Sequence, residues 1–358
     1  MTGVRQRLAF LAGLLTGSKA LTGPWFVAID VTNRCNLQCL GCLAHSPLLR
    51  KDDGTTHPRD FPLELYRKIC GQLRGEPHCE IILIGEGEPL LHPDLVEMVR
   101  EAGRNGLRTR LVTNGTLLDA EMIDRLIAAG IGRIDVSLWA VTPEDAAQVY
   151  PGTGAATFAR QLAGLDLLAR ARQRAGGTRP QLFLHQPLSR HNADNLPGLI
   201  DIARRCGCDR VSFAPLYTHG ERLADHAPTE AQLGELGRLG GTLRGDPLGS
   251  GLNDILLRYR IGEKVLDRQP CYVGWHYMRI DVTGRISPCK MCSIVVGDLN
   301  AASLEEVWNG PEMRRFRRQS RSAARKDFLG GSCDCRFCCH AVSNQRIHRI
   351  MRWFGPRG

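Results

Sequence analysis

The segment Cys35-Asn-Leu-Gln-Cys39-Leu-Gly-Cys42 carries three cysteines in a C-x3-C-x2-C pattern, directly after a strand-like run at 25–31. Three thiolates are one ligand short of a closed zinc site or of a fully ligated iron–sulfur cluster. On one loop they can instead hold a four-iron cluster and leave one iron open to an outside ligand. The pattern therefore predicts a metal centre, and the alternative is half of a zinc site completed by cysteines elsewhere.

Outward from this loop, strand-like and helix-like runs alternate along the chain. Several helix-like runs end at Gly106, Gly130 or Gly207, as helix capping predicts. Strands separated by helical crossovers indicate a parallel sheet, and six such units favour an α/β fold with a partial (β/α)6 barrel over an eight-fold one. The predicted strands are 25–31, 80–84, 108–113, 133–139, 181–186 and 210–215, and the predicted helices are 62–73, 94–105, 119–129, 156–173 and 195–206.

The rest of the chain divides by composition. Residues 220–251 contain eight glycines and little strand character. Further on, a predicted hairpin at 278–288 and helices at 303–308 and 312–325 indicate a second, smaller domain. The domain boundaries we expect are an N-terminal extension at 1–24, the barrel at 25–219, a Gly-rich helical linker at 220–262, a hairpin-plus-helix domain at 263–345 and a basic tail at 346–358.

The number and spacing of the cysteines indicate the cellular compartment in which the protein is expected to occur. A secreted disulfide scaffold would be short and would begin with a cleavable signal, whereas this chain has 358 residues and 14 cysteines in two main groups. The apolar run 8–15 lacks a small-residue cleavage site, and no apolar stretch reaches the ~18 residues of a membrane-spanning helix. We expect a reduced, cytoplasmic metalloprotein with no transmembrane segment.

The positive charge is confined to one end of the chain. Residues 310–358 hold twelve Lys or Arg against three Asp or Glu, so the first 309 residues carry only about +1 of the net +10. Aromatic residues make up 6% of the chain, few for a protein that stacks on single strands. No nucleic-acid partner is expected. The alternative is a zinc ribbon beside Arg-rich helices, which would make a zinc-dependent nucleic-acid-binding protein.

The first cysteine loop also carries a family resemblance. Thr32-Asn-Arg-Cys35-Asn-Leu-Gln-Cys39-x-x-Cys42 resembles the signature of the radical S-adenosylmethionine (radical SAM) enzymes. The resemblance implies a 4Fe-4S cluster on Cys35, Cys39 and Cys42 with SAM at the open iron. It also implies an external reductant, such as flavodoxin or ferredoxin, and reductive cleavage of SAM to a 5′-deoxyadenosyl radical.

Further motifs resemble this family at the carboxyl ends of predicted strands, where parallel barrels keep their sites. Residues 85–90 are similar to its Gly-Glu-Pro motif, and residues 113–115 and 136–138 end the third strand and lie in the fourth. Gly41 departs from the pattern, because many members place an aromatic residue there against adenine. The SAM-binding residues that the resemblance implies are Gly87, Glu88, Asn114 and Ser137.

The C-terminal cysteines resemble the family's auxiliary iron–sulfur extension, called SPASM or, when shortened, twitch. Residues 271–289, 297–299 and 303–309 match its pattern, and the compact final group is closer to the twitch form. The resemblance implies one auxiliary 4Fe-4S cluster. Its implied ligands are Cys271, Cys289, Cys335 and Cys338, and the alternative ligands are Cys292, Cys333 and Cys339.

Similarity to twitch-type sugar and aminocyclitol enzymes implies hydrogen abstraction from a sugar-like natural-product intermediate. The radical would then be quenched by a thiol, giving epimerisation, or lose an electron, giving two-electron oxidation of an alcohol. We favour epimerisation, with Cys292 as the catalytic hydrogen donor, because thiols are left over beside the cluster. Strand-end side chains with hydrogen-bonding groups are the expected substrate contacts: Trp139, His185, Gln186, Tyr217 and His219.

The main alternative within enzymes is a peptide maturase that cross-links or epimerises a ribosomally made precursor. Such enzymes usually carry a peptide-recognition domain ahead of the barrel. About 24 residues precede the first predicted strand here, so this alternative requires a separate recognition protein.

Overall fold

The six strands predicted for the barrel form one parallel sheet in their chain order, which confirms the α/β fold class. The computed structural model describes residues 2–49, 57, 59–76, 78–218, 221–336 and 338–354. The strands are β1 (Phe26–Asp30), β2 (Glu80–Ile84), β3 (Arg108–Thr113), β4 (Arg133–Ser137), β5 (Gln181–Leu188), β6 (Arg210–Pro215), β7 (Tyr277–Ile280), β8 (Arg285–Ser287) and β9 (Gly297–Asp298).

The sheet continues into the C-terminal domain. Its order is β6-β5-β4-β3-β2-β1-β7-β8-β9, so β1 lies between β2 and β7 and pairs in parallel with both. The β7–β8 and β8–β9 pairs are antiparallel, as a hairpin requires. The sheet is therefore an open partial barrel, and β6 and β9 form its two edges.

Helices follow the strands of the barrel, and some of them begin at side-chain caps. Asp119 accepts a hydrogen bond from the backbone of Met122, and Thr142 and Ser303 form capping boxes. The helices are α1 (Thr2–Leu15), α2 (Leu63–Gln72), α3 (Leu95–Arg104), α4 (Ala120–Ala128), α5 (Pro143–Val149), α6 (Gly154–Arg174), α7 (Leu196–Arg205), α8 (Glu230–Thr242), α9 (Ser250–Ile261), α10 (Val265–Arg268), α11 (Leu304–Trp308), α12 (Pro311–Arg321), α13 (Arg325–Gly330) and α14 (Ala341–Phe354).

The two faces of the sheet differ in chemistry. Successive strand residues point to opposite faces. The face covered by helices is apolar and fully buried, as in Val136 and Leu184. The opposite, inner face carries polar side chains that pair across strands, with Arg110 bonded to Asp135 and His185 bonded to Ser212. A polar inner face ending at the carboxyl edge is where a barrel of this type can receive a ligand.

The segment 220–262, interpreted from sequence as a linker, contributes α9 to the barrel. Gly251 at the start of α9 lies so close to β6 that an added Cβ would be 2.3 Å from the carbonyl oxygen of Val211. Leu252 and Ile255, on the same helix, are fully buried in the main core. The helix therefore covers the outer strand of the sheet.

The N-terminal helix packs on the C-terminal domain. Trp275 donates its indole N–H to the carbonyl of Gly13 at 3.1 Å, and the Asn309 side chain both accepts from and donates to the backbone of Ala20 at 3.0 Å. Arg317, which is fully buried, binds the carbonyl of Ser18. The two ends of the chain are thus joined by hydrogen bonds. None of the described helices has the length and apolar character needed to span a membrane.

Candidate active site and metal centres

The loop that bears Cys35, Cys39 and Cys42 follows β1 and is fastened by backbone hydrogen bonds to neighbouring segments. Gly87 N–H donates to the carbonyl of Thr32 at 3.0 Å, and Glu88 N–H donates to that of Arg34 at 2.7 Å. A Cβ added at Gly87 would lie 2.0 Å from the Arg34 carbonyl oxygen, so only glycine permits this approach. The Gly-Glu-Pro segment therefore sets the position at which the cysteine loop begins.

The three thiols of this loop lie within electrostatic range of one another. Burial raises the pKa of Cys35 to about 11 and that of Cys39 well above its ordinary value, and the neighbouring Cys42 acts in the same direction on both. Three soft donors on one anchored loop suit an iron–sulfur cluster with one open iron, because a bound metal offsets the cost of forming thiolates.

Glu88 is buried, and most of its hydrogen-bonding capacity is used within the protein. Its Oε1 accepts from Leu90 N–H at 3.1 Å and from the Thr113 hydroxyl at 2.5 Å, while Oε2 accepts from Asn114 N–H at 2.7 Å. A carboxylate offers about four acceptor positions, so one remains for a ligand such as the SAM ammonium. Burial raises the pKa of Glu88 to about 7. Its clearest role is to join the ends of β2 and β3.

Asn114 and Ser137 lie at the same edge of the sheet. Asn114 donates to the Asn36 side chain of the cysteine loop at 2.9 Å. Gln161, on α6, donates to the carbonyl oxygens of both Asn114 and Ser137, at 2.8 and 3.1 Å. Sequence reasoning missed Gln161, because only the structure shows that this glutamine on α6 is fully buried against the sheet, where its amide requires partners.

Trp139, predicted as a substrate contact, lies over the cysteine loop. An added Cβ at Gly41 would be 2.7 Å from the indole of Trp139 and 2.4 Å from Leu216 Cδ1. The indole also packs against a small apolar cluster formed by Leu49, Leu216 and Leu223. The position that departs from the family pattern is thus covered by an aromatic side chain from the end of β4.

The other residues that were predicted to contact substrate lie in different parts of the structure. His185 lies on the inner face, bonded to Ser212 at 2.9 Å, and burial lowers its pKa to about 4, so the imidazole is neutral at pH 7. Gln186 is the next residue and points to the opposite, helix-covered face with no exposed surface. The expectation that Gln186 contacts substrate is therefore wrong, because adjacent strand residues alternate faces. Tyr217 bonds Arg258 beyond the end of β6. His219 lies outside the described residues.

The C-terminal cysteines surround one cavity, together with Val273, Phe316 and His340. Cys335 and Cys338 pack against Ala341 and Ile261, and sulfur atoms of Cys289 and Cys339 lie within 4.8 Å of each other and of a ring nitrogen of His340. All seven predicted ligands and alternative ligands line this cavity: Cys271, Cys289, Cys292, Cys333, Cys335, Cys338 and Cys339.

Cys292 does not present a free thiol. It forms a disulfide with Cys333, and the two residues also form an isolated antiparallel bridge. Flanking hydrogen bonds, from Ser293 N–H to Ser332 O and from Asp334 N–H to Met291 O, hold the segments together at 2.7 Å. A disulfide sulfur has no hydrogen to donate, so the predicted role of Cys292 as hydrogen donor requires reduction of this bond and stays a prediction. The five remaining thiols supply enough donors for a four-thiolate cluster.

A polar cleft of about 240 Å³ opens beside the first cysteine loop. It is lined by Thr32 and Asn33 on one side and by the β7–β8 turn on the other, with Asp30 at its base. Asp30 is 1% exposed; its Oδ2 binds Arg279, while Oδ1 has no partner among the described residues. The wall of the cleft therefore contains a buried, unsatisfied acceptor, close to the segment that leads into the first cysteine loop.

A partial α/β barrel with three thiols at its carboxyl edge, joined to a cysteine-lined domain, defines an iron–sulfur enzyme with two separate metal centres. Residues 29–188 match the model of the Radical SAM superfamily, and residues 271–341 match that of an iron–sulfur cluster-binding domain, SPASM. The chain therefore contains a radical SAM domain and a SPASM/twitch-type iron–sulfur domain. Together these domains imply a SAM-bound 4Fe-4S cluster and auxiliary iron–sulfur ligation.

Among curated proteins, the chain is similar to PqqA peptide cyclases. The protein of Gluconobacter oxydans (strain 621H) is 28% identical over 326 residues, covering 87% of this chain and 86% of its own. That of Xanthomonas campestris pv. campestris (strain 8004) is 28% identical over 332 residues, covering 87% and 82%. The similarity therefore extends across both domains.

Solved structures support the fold. Streptococcus suis SuiB bound to S-adenosylmethionine has a TM-score of 0.63 at 18% identity and covers 90% of this chain and 74% of its own. Native anSMEcpe with bound AdoMet has a TM-score of 0.62 at 15% identity, with coverage of 92% and 98%. At these identities the likeness shows the arrangement of barrel and auxiliary domain and nothing finer.

Proposed function

We propose that this radical SAM enzyme modifies a peptide by joining two of its side chains, as a peptide cyclase does. The observation that supports this most is the similarity to PqqA peptide cyclases over 87% of the chain, which includes both thiol-bearing domains. The peptide alternative from the sequence is thereby preferred to a sugar-like substrate, for which the relatives offer no support.

The reaction balances with two metal centres. When bound, the cluster on Cys35, Cys39 and Cys42 supplies the electron that cleaves SAM, and an auxiliary cluster supplies an electron acceptor. The 5′-deoxyadenosyl radical takes one hydrogen atom from a peptide C–H bond. Addition of the resulting carbon radical to a second side chain, followed by loss of one proton and one electron, forms the carbon–carbon bond and restores the closed shell.

The chain's own residues position the reactants. Gly87, Glu88, Asn114 and Ser137 lie around the carboxyl edge of β2 to β4, where they can hold SAM above the sheet. The neutral His185 presents a hydrogen-bonding group on the inner face without adding charge. The polar cleft beside Thr32 suits an extended backbone, because its acceptors can pair with peptide N–H groups.

The small-molecule epimerase hypothesis has no support from the relatives, which are peptide cyclases. The hydrogen donor that it names, Cys292, is bonded to Cys333. Cross-linking needs no thiol hydrogen donor, because the radical left after bond formation loses one electron and one proton instead of gaining a hydrogen atom. The proposed reductant remains an external low-potential protein such as flavodoxin or ferredoxin.

The test is anaerobic turnover with a defined peptide. The reconstituted enzyme is incubated with SAM, dithionite and the PqqA peptide of Gluconobacter oxydans, whose cyclase is similar to this chain, and the products are analysed by mass spectrometry. We expect 5′-deoxyadenosine and a peptide that has lost two hydrogens, with fragments missing between the joined residues. The Cys39→Ala variant is the control and should give neither product. Formation of 5′-deoxyadenosine only with an aminocyclitol or sugar, and never with peptide, would overturn the proposal.

A further inference from the structure

Arg258 is a buried cation between the barrel and the auxiliary domain. It lies on α9 and is 8% exposed. Its Nη1 donates to the carbonyl of Phe213 and its Nη2 to the Tyr217 hydroxyl, both at 3.3 Å. A guanidinium remains protonated in proteins, so a full positive charge is held in this position.

The helix that carries Arg258 packs directly on the auxiliary site. Leu257 and Ile261, on either side of Arg258 in the sequence, belong to the same apolar cluster as Cys335 and Cys338. Tyr217, the hydrogen-bond partner of Arg258, is also close to these thiols: burial raises its pKa above the ordinary range, and the nearby Cys339 adds to that effect.

The same helix also fastens Arg258 to the barrel. Phe213, whose carbonyl accepts from Arg258, lies on β6, the strand that pairs with β5. Ile261, one helical turn further along α9, packs in the cluster that includes Cys335 and Cys338. Arg258 therefore lies between the last strand of the barrel and the auxiliary cavity.

We propose that Arg258 raises the reduction potential of the auxiliary cluster. A 4Fe-4S cluster with four thiolates is anionic, and reduction adds a further negative charge. A buried cation therefore stabilises the reduced form more than the oxidised form, and weak screening in the interior makes this effect large. In the proposed reaction, Arg258 would favour acceptance of the electron released by ring closure. It acts through the cluster and is a positioning residue, not a catalytic one.

The test measures the potential without any peptide, so it is independent of the proposed function. A full-length Cys35→Ala/Cys39→Ala/Cys42→Ala protein retains only the auxiliary cluster, whose midpoint is measured by redox titration followed by EPR. In this background Arg258→Met removes the charge and Arg258→Lys keeps it. The control is Arg172→Met, because Arg172 is also 8% exposed but binds Gly207 and Asp209 at a distance from the cysteine cavity.

We expect Arg258→Met to shift the midpoint to lower potential by about 59 mV, a tenfold change in the ratio of reduced to oxidised cluster for a one-electron couple. Arg258→Lys and Arg172→Met should stay near the parent value. An unchanged midpoint in Arg258→Met at full iron content would overturn the inference. If Arg258→Met fails to hold iron, Arg258→His decides: its midpoint should fall as pH rises through the imidazole titration, and a pH-independent midpoint would overturn the inference.

Discussion

The indole of Trp139 occupies the space that a side chain at Gly41 would need, with 2.7 Å between an ideal Cβ and the nearest indole atom. The backbone of Trp139 is fixed on both sides. Its N–H donates to the Tyr150 hydroxyl at 3.0 Å, and its carbonyl accepts from Asn192 at 2.7 Å. Because the backbone of Trp139 is held, a side chain at position 41 would require the indole and the nearby Leu216 side chain to shift. One aromatic residue thus covers the cysteine loop from the end of another strand.

This relationship predicts a coupled effect of two substitutions. Gly41→Ala should lower the free energy of unfolding by about 1–3 kcal/mol, as overpacking does. In a Trp139→Leu background the same change should cost about 1 kcal/mol less, because only the flexible end of Leu216 then has to move. Denaturant unfolding of the reconstituted proteins measures both values. Gly71→Ala, at a position with nothing within 4 Å, is the control and should not destabilise. Equal costs in both backgrounds would contradict the prediction.

Because Gly87 lies so close to Arg34, we predict that a side chain at position 87 abolishes the metal centre of the first cysteine loop. In Gly87→Ala the new Cβ would lie 2.0 Å from a backbone oxygen, which the loop can relieve only by moving. We expect iron to fall from about eight to about four atoms per chain, because the auxiliary ligands are elsewhere. Gly103→Ala, whose nearest contact is at 3.9 Å, should keep full iron. Iron and sulfide analysis after anaerobic reconstitution checks this, and an unchanged iron content would refute it.

From the raised pKa of Glu88 we predict that the free energy of unfolding depends on pH. Its pKa is raised by burial from 4.5 to about 7, so the folded state binds more protons than the unfolded state between these values. The free energy of unfolding should therefore fall as pH rises from 4.5 to 7, by about 3 kcal/mol in total.

Glu88→Gln should remove this slope, since an amide does not titrate, and should lose the bond from Asn114 N–H at any pH. The control is Glu86→Gln, whose side chain is 46% exposed. Denaturant unfolding between pH 5.5 and 8 distinguishes the variants. A wild-type protein with pH-independent stability over this range would show that Glu88 does not titrate there.

For the cysteines of the auxiliary cavity, we predict two classes of variant that differ in whether they retain auxiliary iron. Cys292→Ala and Cys333→Ala remove a disulfide and should retain auxiliary iron. Cys289→Ala and Cys338→Ala should lose about four irons, because each removes a thiol of the predicted cluster. Iron analysis and EPR in the absence of the radical SAM cluster measure the difference. Loss of iron in Cys292→Ala would instead assign that residue to the cluster.

Local sequence was sufficient for the strands with clear boundaries. The predicted bounds 80–84, 108–113 and 210–215 match β2, β3 and β6, because apolar alternation ends there at glycine or proline-containing turns. The radical SAM motifs were predicted for the same reason, since their residues are adjacent in the chain.

Relationships between distant segments were not predicted. Gln186 was placed with His185 because both follow the same strand, whereas the pleat sends them to opposite faces. The disulfide joins residues 41 apart, and no local pattern distinguishes Cys333 from its neighbours as the partner of Cys292. The role of Gln161 depends on where α6 crosses the sheet, which periodicity does not specify.

The pairing of β1 with β7 has a consequence for synthesis of the chain. Ala28 lies opposite Arg279, so the strand beside the radical centre gains its second neighbour only after some 250 further residues have been made. Until then, one edge of a very apolar strand is exposed on the ribosome, where unpaired edges promote association with other chains. A nascent or truncated barrel that ends before residue 277 therefore has the character of a chaperone client, and its C-terminal domain is the element that closes this edge.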